Sequence, residues 1–374
     1  MTPPVRARYV MIGGFLGAGK TTAILKLAEY LDRQGRRVGL ITNDQSVGLV
    51  DTTMLASRGF PVEEITGGCF CCRFDSLVEA TDRLTSDCAP EVFIAEPVGS
   101  CTDLRATVSY PLQQMYADAY TIAPLSVVVD PVRALRALGV EPGAGFSGKV
   151  HYVYRKQLEE AAILVINKCD VVEPARIAAL SAALAREFPA ARIFEVSART
   201  GQGLGAWFEA IVPAGEGAVQ RAETDMEVDY ALYGEGEALL GWLNASVRLD
   251  GRPFDGNAWL CDLAGRIQAR LDERDIEIAH LKVTLSPGTE GAVAVLNQVR
   301  NQQPPELSHE LIGPLSSADV LINLRAEGDP EILRAAMQGA VDEAASASGL
   351  RRHVNHAEHF RPGQPTPTHR LSPA

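Results

Sequence analysis

The sequence predicts an α/β fold, a doubly wound and mostly parallel sheet followed by a smaller α+β domain. Three observations carry this expectation. Short, near-continuous apolar runs alternate with helical segments from residue 9 to residue 212, the pattern of strands buried on both faces and joined by helices. A glycine-rich loop separates the first strand from the first helix. Near Pro213 the composition changes and the order of elements becomes mixed.

Taken in order, Tyr9-Val10-Met11-Ile12 is an apolar run short enough for a buried strand. Residues 22–33 read as a helix, with Ile24, Leu25, Leu27, Ala28 and Leu31 on one side. Further strands are expected at 38–42, 92–95, 126–129, 163–166 and 192–196, and the clearest helix between them at 175–188. Ligands of such sheets sit at the carboxyl ends of the strands. Residues 213–225, rich in Gly, Ala and Glu, form a linker. Beyond it, helices are expected near 235–244 and 259–272, and strands near 276–285, 292–299 and 319–324. A last helix starts at Asp329-Pro330, a capping residue followed by proline at the first helical position. The organisation is thus a first domain over 1–212, a linker over 213–225, and an α+β domain of open topology over 226–348. The polar, proline-rich, histidine-containing tail over 349–374 is expected to be disordered.

The 374 residues are 46% hydrophobic and 22% charged, as in an ordinary soluble globular protein. A formal net charge of −12 argues against nucleic acid or an anionic membrane as the main partner. The first eight residues lack the apolar core of a secretory signal, and no run of about 18 apolar residues appears, so the expected location is cytoplasmic. Seven cysteines, three of them within four positions, read as reduced thiols.

Gly14-Phe15-Leu16-Gly17-Ala18-Gly19-Lys20-Thr21 is the phosphate-binding pattern G-x-x-x-x-G-K-[ST], set between a strand and a helix. Gly14, Gly17, Ala18 and Gly19 would turn backbone N–H groups toward an anion at the start of the helix that Thr22 continues. Lys20 would reach the outer phosphates, and the Thr21 hydroxyl would meet a bridging Mg²⁺. Asn167-Lys168-Cys169-Asp170 follows the fifth strand and matches N-K-x-D. Asp170 can accept two hydrogen bonds from guanine, whereas adenine would leave it partly unsatisfied. Asn167 would brace the base, the Lys168 stem would lie along it, and Ser197-Ala198 would meet the guanine oxygen. The expected nucleotide is GTP, and residues 1–212 are a P-loop GTPase domain. Glu96, in Ala95-Glu96-Pro97-Val98-Gly99, ends a strand where the γ-phosphate would lie; it is expected to hold Mg²⁺ or orient the attacking water, with Gly99 allowing close approach. Asp44 and Asp51 occupy a nucleotide-sensing segment, with Asp44 the expected Mg²⁺ and catalytic carboxylate.

Cys69, Cys71 and Cys72 lie in the tight, glycine-entered loop Thr66-Gly67-Gly68-Cys69-Phe70-Cys71-Cys72. Three thiolates there suit zinc or another borderline metal, and adjacent cysteines pair poorly as a disulfide. Cys101 is an outside candidate for a further ligand; Cys88, Cys169 and Cys261 are isolated. Four of the seven histidines fall in the last 22 residues, a composition compatible with metal handling or with a solvated tail.

In this order and spacing, the phosphate loop, Cys-x-Cys-Cys, Glu-x-x-Gly and N-K-x-D resemble the CobW-type family of metal-associated GTPases, related to the nickel-delivery GTPases UreG and HypB. The resemblance covers about residues 9 to 212 and implies GTP hydrolysis coupled to delivery of a transition metal, Zn²⁺ or Co²⁺, to a client metalloprotein or metal-dependent enzyme. It implies as well that the cysteine loop moves with the switch segments, and related GTPases often work as dimers. Two departures stand out: Ser46-Val47 replaces a Gly-Glu pair, and Val98 stands where relatives often have Thr. Slow hydrolysis without a partner and an altered metal shell are the expected consequences. The alternatives are a gatekeeping factor for a metallo- or corrinoid enzyme with a permanent structural zinc, a P-loop kinase of a small molecule, and a non-hydrolysing metal sensor.

Overall fold

The computed structural model describes residues 6–43, 52, 55–56, 58–143, 145–213, 226–288 and 292–373. The chain divides into two compact units, Met1–Tyr233 with Pro365–Ala374, and Gly234–Gln364.

The first unit is built on β1 (Ala7–Gly13), β2 (Val38–Asn43), β3 (Val62–Ile65), β4 (Val92–Glu96), β5 (Tyr120–Ile122), β6 (Ser126–Val129), β7 (Ile163–Ile166) and β8 (Arg192–Glu195). Their order is β3-β2-β4-β1-β6-β7-β8, with β5 beside β1, and every pairing is parallel. Its helices are α1 (Lys20–Asp32), α2 (Phe74–Cys88), α3 (Tyr110–Met115, continuing a π-helical turn Arg105–Ser109), α4 (Pro131–Ala137), α5 (Gly148–Glu160), α6 (Pro174–Glu187) and α7 (Leu204–Ile211).

Alternation along β1 sends successive side chains to opposite faces. Val10 and Ile12 join Leu40, Ile94, Val128 and Val165 beneath Ile24, Leu27 and Leu31 of α1 and Trp207, Phe208 and Ile211 of α7. Tyr9 and Phe93 each pack edge-on against Tyr120, at centroid separations of 6.2 and 5.8 Å. Burying each of these large side chains contributes about 1.5–3 kcal/mol, which fixes the sheet and so the loops at its carboxyl edge. The doubly wound, mostly parallel architecture matches the expectation. Two strands, β3 and β5, were not anticipated. β3 is an edge strand with glutamates at its centre, and β5 has three residues.

The second unit holds β9 (Leu240–Phe254), α9 (Gly256–Asp272), β10 (Ile278–Ser286), β11 (Ala294–Gln298), β12 (Glu306–His309), β13 (Leu315–Glu327), α10 (Pro330–Ser348) and β14 (Leu350–Phe360). The helix Tyr230–Leu239, α8, contains the division between the units. The sheet runs β12-β11-β10-β13-β9-β14, antiparallel throughout. Without the β11–β12 hairpin the order of elements is β-α-β-β-α-β. Its core joins Leu243, Val247 and Leu249 of β9 to Leu260, Leu263 and Ile267 of α9 and Met337 and Val341 of α10.

Two expectations are corrected here. The helix expected near 235–244 ends at Leu239, and the chain continues as β9. Leu243, Ala245, Val247 and Leu249 alternate toward the core, and this period of two, supported by pairing on both edges, outweighs local helical preference. The tail expected to be disordered from 349 begins with β14, because Leu350 to Phe360 find the open edge of β9. Asp44 and Asp51 lie outside the described residues, as does most of the expected linker. No helix among the described residues is long and apolar enough to cross a membrane.

Candidate functional site

The phosphate loop joins β1 to α1. Gly14 has φ 132°, and a Cβ there would overlap the Val128 carbonyl oxygen of β6. Gly19 has φ 96° and opens α1, and a Cβ on it would strike the Asn167 amide. Both positions therefore require glycine. Gly17 is left-handed as well, the Ala18 N–H bonds the Phe15 carbonyl at 3.2 Å, and Thr22 is exposed on the first turn. Lys20 and Thr21 are buried at the start of α1. The Thr21 hydroxyl donates to Glu96 Oε1 at 3.0 Å, and Lys20 Nζ lies 3.9 Å from the same oxygen. Glu96 ends β4, and Gly99 abuts Leu16 of the loop. Gln157 of α5 holds the segment that follows, donating to the carbonyls of Gly99 and Cys101 at 2.9 and 2.8 Å. A hydroxyl and a carboxylate side by side at the end of the loop expected to bind phosphate are an all-oxygen donor set, the kind that suits Mg²⁺.

On the far side, Asn167 follows β7 and joins two loops. Its Nδ2 donates to the Ala18 carbonyl, and its Oδ1 accepts from the Ala198 N–H, both at 2.9 Å. Lys168, at φ 60°, donates to the Gly17 carbonyl and to Asp130 Oδ2, both at 2.8 Å. Asp170 is bonded by Arg199 Nε at 2.9 Å. Burial opposes its charge, but hydrogen bonds from Ser197 and Arg199 outweigh this and hold its carboxyl below the usual range. Ser197 is buried, and its Oγ accepts from the Thr200 N–H at 3.1 Å.

The thiol loop leaves β3 through Gly67 and Gly68 and turns into α2, with the Cys72 and Arg73 N–H groups both on the Cys69 carbonyl at 3.0 and 2.9 Å. This turn brings Cys69 and Cys71 Sγ to 2.8 Å, Cys69 and Cys72 to 3.3 Å, and Cys71 and Cys72 to 3.7 Å. A tetrahedral zinc with three thiolates has sulfur separations of about 3.8 Å, so the triangle would have to open, most of all between Cys69 and Cys71, to admit the ion. It is the one ligand-type cluster among the described residues. Cys69 and Cys71 are buried, and Cys72 is half-buried. Hydrogen bonds from Cys101, Cys71 and Cys72 pull the Cys69 thiol well below its usual range. Those from Cys69 raise Cys71 and push Cys72 up to about 11. Three sulfurs this close together are a donor set of the kind that suits a borderline cation.

Residues 8–195, from β1 to the end of β8, match the family described as CobW/HypB/UreG, nucleotide-binding domain. The chain belongs to this family. Among curated relatives, the zinc chaperone YeiR of Escherichia coli is 30% identical over 170 residues, covering 45% of this chain and 48% of that protein. The zinc chaperone CobW of Sinorhizobium is 28% identical over 191 residues, covering 46% and 53%. The chain therefore spans about half the length of the curated relatives it matches. Among solved structures, the hydrogenase maturation factor HypB of Archaeoglobus fulgidus aligns at TM-score 0.40 and 20% identity, covering 54% of this chain and 87% of that one.

Within this CobW/HypB/UreG domain, several residues at the site carry no sequence pattern that singles them out. Asp130 holds Lys168 while capping α4, and Asp130-Pro131 signals only the cap. Arg199 sits on Asp170. Asn43, the last residue of β2, braces the thiol loop: it donates to the Ile65 and Gly68 carbonyls at 3.0 and 2.7 Å and accepts from the Phe70 N–H at 2.9 Å. Thr366 and Thr368, far off in sequence, hydrogen-bond the same loop at Cys71 and Cys72. The tail histidines join no ligand cluster among the described residues. Cys88, Cys169 and Cys261 stand apart from the trio, and burial pushes Cys169 up to about 11.

Proposed function

We propose that the chain is a GTP-hydrolysing metallochaperone that carries a transition metal, zinc or cobalt, on Cys69, Cys71 and Cys72 to a client metalloprotein. The observation that carries this reading is that the residues bracing the thiol loop adjoin, in sequence, the segments expected to meet the nucleotide. Asn43, which precedes the segment expected to sense nucleotide, holds the thiol loop from one side. Cys101, on the segment that follows Glu96 and Gly99, hydrogen-bonds Cys69 from the other. A change at either segment is felt at the sulfurs.

In this reading the glycine loop, Lys20 and Thr21 bind the phosphates, and Asn167, Lys168, Asp170, Ser197 and Ala198 frame the guanine. Thr21, Glu96 and Asp44 would hold Mg²⁺, which neutralises charge on the phosphates when bound. Lys20 stabilises the charge that grows on the γ-phosphoryl oxygens, and Glu96 orients the attacking water, so that GTP and water give GDP and phosphate. Guanine would displace Arg199 from Asp170. That pair is more than half exposed on the arginine side, so it costs about 0–1 kcal/mol to break. The names of YeiR and CobW as zinc chaperones favour zinc for the cargo. The client belongs to the same proposal, and related GTPases that work as dimers make a homodimer one form to test for.

The test is cobalt and zinc affinity of the full chain with Mg²⁺ and either GTP or GDP, beside a Cys69/Cys71/Cys72→Ser variant. A difference of about tenfold or more between nucleotides, roughly 1.4 kcal/mol of coupling, lost in the variant, is the expected outcome. Equal affinities would instead make the cysteines a permanent structural site and the protein a gatekeeping factor.

A further inference from the structure

The last residues of the chain return to the first unit and lie along the thiol loop. The Thr366 N–H donates to Cys72 Sγ at 3.2 Å, the Thr368 N–H to the Cys71 carbonyl at 2.8 Å, and the Thr368 hydroxyl to the Cys72 carbonyl at 3.3 Å. The His369 ring stands edge-on to Phe74, the first residue of α2, at 5.0 Å. Arg370 Nε donates to Asp103 Oδ2 at 2.8 Å and its Nη2 to the Met226 carbonyl at 2.8 Å. The Leu371 N–H reaches the Ala106 carbonyl at 2.8 Å, and Gln114 of α3 donates to the Ser372 carbonyl at 2.7 Å.

The sequence explains why this segment lies down in one way. In Pro365-Thr366-Pro367-Thr368 the prolines have no N–H and hold φ near its extended value, so the segment loses little entropy on docking. The two N–H groups that remain, on Thr366 and Thr368, both point to the thiol loop. The anchor is equally specific. Asp103 is 2% exposed, at φ 63°, and shares Oδ2 between Arg370 and the Tyr230 hydroxyl, the latter at 2.6 Å. A carboxylate so buried without Arg370 would be left strongly undercompensated.

From this arrangement we infer that residues 365–372 are a strap forming one wall of the thiol site. In it Thr366 is a positioning residue for Cys72 and Arg370 the anchor, and the strap governs how fast bound metal leaves. The inference rests on the metal-carrying reading of the three cysteines. Cys72 is the most exposed thiol of the trio, the one through which an acceptor's ligand would first enter. An N–H donor on its sulfur holds the side chain turned toward its two neighbours, and the extended strap lies along that approach. Transfer to a client then requires the strap to lift, and an extended peptide offering its own N–H donors could take its place.

The test uses the full chain loaded with Co²⁺ at fixed nucleotide, following the cobalt–thiolate charge-transfer band and the rate of cobalt loss to EDTA. Thr366→Pro removes the N–H on Cys72, and Thr366→Val, which keeps that N–H and is expected to release cobalt like wild type, separates this from loss of the hydroxyl. Arg370→Ala releases the anchor, and Arg370→Lys restores a charge on Asp103. Loss of a partner next to a metal ligand weakens retention by about tenfold or more. Thr366→Pro is therefore expected to speed release by that factor and shift the band, Arg370→Ala to speed release, and Arg370→Lys to recover part of the loss. Thermal melts separate this from unfolding, and because Thr366 is exposed its variant remains informative if Arg370→Ala melts early. Release within about twofold of wild type in both Thr366→Pro and Arg370→Ala, with the band unmoved, would overturn the strap while leaving the metal reading intact. A wild-type chain with no thiolate band would overturn the metal reading itself, and the strap with it.

Discussion

Asn43 and Phe70 are joined by a 2.9 Å hydrogen bond from the Phe70 N–H to the Asn43 side-chain oxygen, deep in the first unit. With the two bonds from its Nδ2, Asn43 satisfies three backbone groups of the loop between β3 and the cysteines. Asn43→Asp keeps the acceptor and loses both donors, and it places a charge beside two carbonyl oxygens. A stability loss of about 2–4 kcal/mol is expected, read by urea unfolding, along with weaker cobalt binding that no longer differs between GTP and GDP. Cobalt affinity and nucleotide response equal to wild type would remove Asn43 from the coupling.

Gly14→Ala tests the phosphate loop at its most constrained point. The added methyl meets the Val128 carbonyl oxygen, at a φ that side chains rarely adopt. The strain is expected to cost about 1–3 kcal/mol in thermal stability and to reduce nucleotide binding in a fluorescence titration. A variant that binds GTP and melts like the parent would mean the loop shifts freely.

Asp170→Asn exchanges an acceptor pair for one donor and one acceptor. Preference for GTP over ATP should fall by about a hundredfold or more, measured by competition against a fluorescent GTP analogue. Arg199→Ala should change GTP affinity by less than about fivefold, because the arginine of the pair it breaks is more than half exposed. An unchanged nucleotide preference in Asp170→Asn would move base recognition elsewhere.

Glu160, at the end of α5, is fully buried, with Oε1 accepting from the Thr102 hydroxyl and Oε2 from the Arg105 N–H. Burial first, and the Asp103 charge second, push its carboxyl up to about 8. A folded-state value raised above 4.5 means the native chain holds the proton more tightly. The stabilisation is thus complete below pH 4.5 and is lost as pH climbs through about 8. Relative to wild type, Glu160→Gln should gain stability steadily between those limits, as unfolding midpoints across that range would reveal. A constant difference at all pH values would contradict the assignment.

The parts of the molecule legible in the sequence are those whose signal is local. The runs behind β1, β4, β6 and β7 are apolar on both faces because the sheet is covered on both, and the phosphate loop is tied to its strand and helix by glycines that nothing else could replace. The start of α10 follows from the cap at Asp329, which accepts from the Glu331 N–H, whereas the equivalent cap of α9 at Asp255 is seen only in the fold. What escaped is set by partners far away. β14 looks like a polar tail until β9 offers its edge. β3 carries glutamates that only a sheet edge tolerates. At the site, the cysteines and N-K-x-D are visible as patterns, whereas Asn43, Asp130 and Arg199 are ordinary polar residues whose meaning arises from what the fold sets against them.

Thr366 and Cys72, bonded through N–H and sulfur, stand 294 positions apart, with the whole of β9 to β14 encoded between them. A ribosome therefore finishes the nucleotide half, thiols included, well before it makes the residues that cover Cys72. During that interval a nascent chain would hold its thiols open to any passing metal or oxidant. A polypeptide that stopped short of Thr366 would lack the N–H donor that Cys72 receives in the full fold.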